Sequence, residues 1–212
     1  MNLNKNILLA LGLLAASASH AQITPADAAA TGYGLLGHRY TELNAGLHDI
    51  THVSEHGYHV GAAANNPLIA GVLDAGASYS YSWIRGAFRG HANTIGAYTT
   101  AYTVFKGVKP FVNAGLGYEW NSFGFGTSDD RTLWDLAAGV EIPAGAVIIT
   151  PRVSYTDDFE GSRTSIEAWT LQVEGNYWYS ATQAVFASIG KTDIRREPND
   201  AWNYQIGLRA RF

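Results

Sequence analysis

Ten stretches in which apolar and polar residues alternate, tryptophans gathered on the apolar parity, and connections that alternate short with long predict an all-β fold. The predicted architecture is a closed antiparallel up-and-down transmembrane β-barrel of ten strands, with eight as the alternative. A strand points successive side chains to opposite faces, so sustained alternation marks a sheet with a different environment on each side.

The first element is an export signal. Lys5 precedes an apolar run from Ile7 to Ala16, and Ser17-Ala18-Ser19-His20-Ala21 supplies the small residues of a cleavage site after Ala21. That run is too short for a membrane helix, which needs about 20 residues. Residues 1–21 are therefore expected to be removed, 22–37 to form a periplasmic lead-in without regular period, and 38–212 to form the barrel. The Gly32–Gly37 stretch is expected to pack against the barrel or enter it.

Composition narrows the function. The chain has no Cys, which excludes disulfide scaffolds and thiolate metal sites. Charged residues are 15% of the chain, against about 25% in soluble domains. Without Lys5 the 14 Lys and Arg fall to 13 against 18 Asp and Glu, a formal net charge of −5. That balance argues against nucleic acid as a partner, because phosphate binding needs a basic footprint.

The ten segments run roughly over 38–48, 57–65, 71–84, 92–105, 110–121, 132–142, 146–156, 165–178, 184–192 and 201–212. The third sets Leu73, Ala75, Ala77, Tyr79, Tyr81 and Trp83 against Asp74, Gly76, Ser78, Ser80 and Ser82. The fifth, sixth and eighth repeat that split. In the fourth both faces are tolerably apolar, and its inside and outside stay open. Pro151, on the apolar parity of the seventh, cannot donate a ladder bond, so a bulge or a later strand start is expected there. The last segment, Trp202 to Phe212, alternates without a break and ends on an aromatic.

Short connections at Asn65-Asn66-Pro67, 106–109, Pro143-Ala144-Gly145 and 180–182 alternate with longer polar ones at 48–56, 85–91, 122–131, 157–164 and 193–200. The direction of the apolar face follows from the tryptophans. Trp83, Trp120, Trp134, Trp169 and Trp202, joined by Tyr155, all lie on that face near the long-loop ends. Turned inward, such bulk would choke one mouth; turned outward, it forms an aromatic girdle at the headgroup level.

The opposite parity then lines the lumen, with Glu42, Glu119, Asp135, Glu141, Arg152, Glu174, Arg209 and Arg211. Buried charges need partners, so an ion-pair network is expected, with Glu42 pairing one of the two C-terminal arginines once the first and last strands meet. The network reads either as a structural plug or as the constriction of a small pore. His48, His52 and His56 are weak metal candidates at four-residue spacing; a His-rich polar surface loop is the preferred account of them, and no metal or cofactor is assigned. No catalytic residue is assigned either. The doublets Asp129-Asp130 and Asp157-Asp158 are adjacent, so on a strand their members point oppositely, unlike the acid pair and Asp-x-His pair of the omptin proteases, which the ten-strand count resembles. His52-Val53-Ser54 only loosely resembles the His-x-Ser of outer-membrane lipid A deacylases.

With its signal, alternating segments, girdle and terminal Phe212, the chain resembles the small outer-membrane β-barrel proteins of the OmpA-like and OmpX-like group, the porin-family β-barrel domain of the Gram-negative envelope. That resemblance implies an outer-membrane location, contacts with outer-membrane lipid and lipopolysaccharide, and recognition of Phe212 as an assembly signal by the barrel-assembly machinery. It implies a non-enzymatic envelope-structural or surface-interaction role through the outer loops, whose ligand is open. The alternatives are a narrow channel for small polar solutes or ions and, more remotely, an outer-membrane protease or lipid-modifying enzyme.

Overall fold

Alternation over a dozen residues gives strands long enough to pair on both sides, and pairing all the way round leaves no unsatisfied edge. The computed structural model describes residues 35–51, 56–85, 90–123, 130–159, 167–195 and 200–212. Among them the strands are β1 (Tyr40–Ile50), β2 (His56–Ile69), β3 (Leu73–Arg85), β4 (Gly90–Tyr102), β5 (Lys109–Phe123), β6 (Asp130–Ala144), β7 (Val147–Asp158), β8 (Glu167–Trp178), β9 (Gln183–Ile194) and β10 (Asp200–Arg211). Each pairs antiparallel with its sequence neighbours, and β1 pairs β10 to close the barrel. The fold is a closed ten-stranded antiparallel β-barrel, as the periodicity predicts.

The faces separate as the parity requires. Leu43, Val112, Leu171 and Ile206 are 64%, 58%, 65% and 66% exposed on the outside. Their strand neighbours Glu42, Asn113, Gln172 and Gln205 are buried inside. An apolar band of this extent is far larger than water tolerates on a monomer and suits hydrocarbon. The strands, 11 to 15 residues long, exceed the roughly 9–11 residues needed to cross a bilayer.

β4, whose faces the sequence leaves open, turns Ile95, Ala97, Thr99 and Ala101 outward and Thr94, Tyr98, Thr100 and Tyr102 inward. The interior offers partners for its phenols. Tyr98 and Tyr40 share a hydrogen bond of 3.3 Å, and Lys109 Nζ lies 5.7 Å from the centre of the Tyr102 ring.

Two local expectations need correction. Asn65-Asn66-Pro67 is not a turn: β2 continues to Ile69, and the connection falls at residues 70–72 with Gly71 at φ 77°. Asn65 behaves as an inward strand residue, its Nδ2 donating to Asp74 Oδ2 at 3.1 Å and to the His38 carbonyl at 3.2 Å. The register irregularity appears between Pro67 and Ile69 instead. Pro151 causes no bulge and no late start. The β6–β7 ladder skips its pairs at Pro151 and Thr150 but resumes in the same register, with Gly139 opposite Arg152 and Ile142 opposite Ile149, while the β8 side of Pro151 stays fully paired. One missing donor is absorbed by a gap in one ladder.

The segment before β1 turns under the barrel at the short-turn end. Leu35 is buried against Tyr40, Ile148, Trp178 and Ala184, and Leu36 against Tyr102 and Phe111. The Gly37 amide donates to Asp74 Oδ2 at 2.9 Å. An apolar floor thus lies across that mouth, drawn from residues on β1, β4, β5, β7, β8 and β9. Residues 32–34 lie outside the described set.

Candidate functional site

The lumen holds the chemistry, in tiers above that floor. In the middle tier Arg209 of β10 is 3% exposed and faces two carboxylates. Its Nε donates to Glu42 Oε2 at 2.7 Å on adjacent β1, where the two residues are direct cross-strand partners. Nη1 and Nη2 donate to Glu174 Oε1 and Oε2 at 2.6 and 3.0 Å, a bidentate grip on β8. Asn44 and Asn176 complete the two carboxylates, donating to Glu42 Oε1 at 2.8 Å and Glu174 Oε1 at 2.6 Å. The guanidinium carbon rests 3.8 Å from the centre of the Phe186 ring. That ring needs Gly207, because a Cβ there would run into it and into the Leu43 carbonyl. Arginine suits the position because its planar fork satisfies several acceptors at once without losing its charge.

Arg152 of β7 is also buried, its Nε donating to Gln172 Oε1 at 2.9 Å, while Gln172 Nε2 donates to Ser188 Oγ at 2.7 Å. Asp135 is buried on β6, and Glu141 faces Lys109 across the β5–β6 ladder. Arg211, expected among the lumen charges, stands at the short-turn rim instead. Its guanidinium stacks 4.6 Å over the Trp178 ring, and its Nε donates to the Ala181 carbonyl.

Nearer the long-loop end Glu119 is fully buried and accepts from Arg131 Nε and Asn121 Nδ2, both at 2.9 Å. Arg131 is a lumen residue that the sequence reading assigned to a loop. Its parity, shared with Leu133 and Asp135, carries the signal, and only the late placement of the strand start concealed it.

A second cluster at this level centres on two histidines. His48 Nε2 and His59 Nδ1 are 2.8 Å apart, their rings stack at 4.8 Å, and His48 Nδ1 lies 2.6 Å from Asn203 Oδ1. Asn203 Nδ2 donates to Thr192 Oγ1, which in turn shares a bond with Thr170 Oγ1. The three histidines proposed from spacing do not converge. His48 points inward on β1, His56 points outward on β2 and meets Asp49 at 3.2 Å, and His52 lies outside the described residues. The spacing assumed a helical turn, whereas β1 runs to Ile50 and β2 begins at His56. Of the acidic doublets, Asp129 lies outside the described residues, while Asp157 and Asp158 point to opposite faces and Asp130 faces outward with Tyr118 Oη on its Oδ2 at 3.2 Å.

On the exterior the girdle residues touch in runs. Trp134, Tyr155 and Trp169 follow one another at 5.3 and 4.9 Å across β6, β7 and β8; Tyr81, Trp83 and Tyr58 do so at 5.6 and 5.7 Å across β3 and β2. Trp120 contacts Tyr118 at 6.1 Å, and Trp202 is 39% exposed on the same outer face.

A closed barrel with a polar interior, an apolar outer band and aromatics along one margin decides the architecture. The fold is that of an outer-membrane β-barrel. Solved structures agree. The translocator domain of autotransporter NalP from Neisseria meningitidis superposes with a TM-score of 0.52 at 7% identity, over 82% of this chain and 88% of that one. The β domain of the Bordetella autotransporter BrkA gives 0.48 at 11% identity over 82% and 99%, and Neisserial surface protein A gives 0.46 at 14% over 82% and 97%. No protein-family model matches the chain, and no curated protein matches it.

Proposed function

We propose that the chain is an integral protein of the Gram-negative outer membrane, exported through a cleaved signal, whose non-enzymatic barrel serves envelope structure or surface interaction through its long loops. Its short turns and both termini face the periplasm, and Phe212 is the end read by the assembly machinery. The observation that carries the structural part is the burial and pairing of the lumen charges. Glu42, Glu119, Arg131, Glu174 and Arg209 are buried and engaged with one another, above a floor that Leu35 and Leu36 help to form. An open water path would leave lumen charges accessible, whereas each of these is no more than 4% exposed.

Conductance across a planar bilayer tests this. The purified barrel is expected to give no stable open steps. Regular, reversible steps would replace the plugged barrel with a narrow solute channel.

A further inference from the structure

We propose that the outer face of β2, β3 and β4 at the long-loop end binds the phosphorylated headgroup of a multiply acylated glycolipid of the outer leaflet. This inference rests on the membrane reading above and adds to it a specific site and the chemistry by which one lipid would be recognised there.

The outward rim is electrically lopsided. On β6 to β10 it carries Asp130, Asp157, Glu167, Asp193 and Asp200, and its described cations there are committed: Lys191 pairs Asp200 and Arg195 pairs Glu167. On β2 to β4 the rim carries His56, Arg85 and His91, all exposed, with His56 also meeting Asp49 of β1 at 3.2 Å. His56 is the cross-strand partner of Arg85, and His91 is the partner of Trp83 one pleat below. Arg85 has no carboxylate partner among the described residues. Its contact is the Tyr58 ring, 5.8 Å from the guanidinium carbon. Stacking on an aromatic face steadies the guanidinium while leaving its edge donors free, the arrangement that grips a phosphate with two parallel bonds.

Directly beneath lies an aromatic tier. Tyr58 stacks on Trp83, Trp83 on Tyr81, and His91 tilts against Tyr81 at 5.9 Å. These rings fix the depth of the patch at the headgroup boundary. Below them Val60, Tyr79 and Ile95 stand outward, and toward the short-turn end the same three strands present small side chains: Ala62 and Ala64 on β2, Ala75 and Ala77 on β3, Ala97 on β4. Of these, Ala75 and Ala97 line a trough of about 630 Å³ that continues over Thr99 and Ala114 to a wall of Leu116 and Trp134. A recess lined by small side chains lets straight acyl chains lie in van der Waals contact with the wall, which is what favours association within hydrocarbon. Cation, aromatic tier and recessed wall thus follow the order of phosphate, sugar and chains in one lipid molecule.

The test uses the full mature chain refolded into phosphatidylcholine vesicles, titrated with diphosphorylated lipid A, with dephosphorylated lipid A and with phosphatidylglycerol. Binding is expected to favour diphosphorylated lipid A, to weaken about tenfold in Arg85→Gln through loss of a charge-assisted pair, and to weaken in Ala97→Leu, which fills the trough without touching a charge. Free inorganic phosphate is expected not to compete. Equal affinity of wild type and Arg85→Gln, equal affinity for phosphatidylglycerol, or effective competition by free phosphate would each overturn the site. A chain that shows no heat-modifiable gel mobility in any vesicle would overturn the membrane reading beneath it as well.

Discussion

At the scale of single residues, Arg209 shows how a charge is kept inside a narrow barrel. Taking a guanidinium and two carboxylates out of water costs several kcal/mol per ion unless the geometry returns it. Here two carboxylates, two amides and the face of Phe186 surround one side chain. Arg209→Met would leave Glu42 and Glu174 buried without their cation. It is expected to lower stability by about 3–5 kcal/mol, read as a fall in the urea midpoint of the heat-modifiable form. Combining it with Glu42→Gln and Glu174→Gln should recover most of that loss, because no unpaired charge then remains. Half of this cluster was legible. Glu42 and Arg209 belong to the first and last strands, which closure makes neighbours, whereas nothing local says that the same guanidinium reaches over β9 to Glu174.

At the scale of elements, each strand is defined by its two solvents. Leu171 and Gln172 are adjacent in β8, yet one is exposed to hydrocarbon and the other is hydrogen-bonded between Arg152 and Ser188. Leu171→Arg is expected to cost about 2–4 kcal/mol in vesicles, the range for a cation at the middle of a lipid-facing strand. Its folding midpoint measured against wild type checks this. Pro151 teaches the reverse lesson. Its missing donor predicted a bulge, but the intact ladder to β8 and the resumed ladder to β6 hold the strand in register. β2 overran its predicted end because Asn65, a common turn former, found two acceptors inside the barrel.

At the scale of the whole molecule, closure joins β10 to β1 through eleven Cα partners from Tyr40 to Ile50. Phe212 adds little to that seam beyond its backbone, since its amide donates to the Arg39 carbonyl at 3.1 Å while its side chain is 77% exposed. Phe212→Ala is therefore expected to refold in vitro with the same heat-modifiable mobility as wild type. Its amount assembled in the outer membrane of cells is expected to fall, which fractionation and an unheated gel would measure. Those two outcomes together would mark the exposed aromatic as a signal for assembly and not a packing residue.

The sequence by itself determined the ten alternating segments, the face on which most side chains outside β4 stand and the margin that bears the tryptophans. Those properties depend only on a residue's parity and on its distance from a turn, both of which are local. The tertiary structure alone decided which inward residues meet. Glu119 with Arg131, His48 with His59, Arg209 with Glu174, and Leu35 and Leu36 beneath the barrel are settled by register, side-chain reach and the path of the chain before β1, quantities that exist only once the sheet has closed.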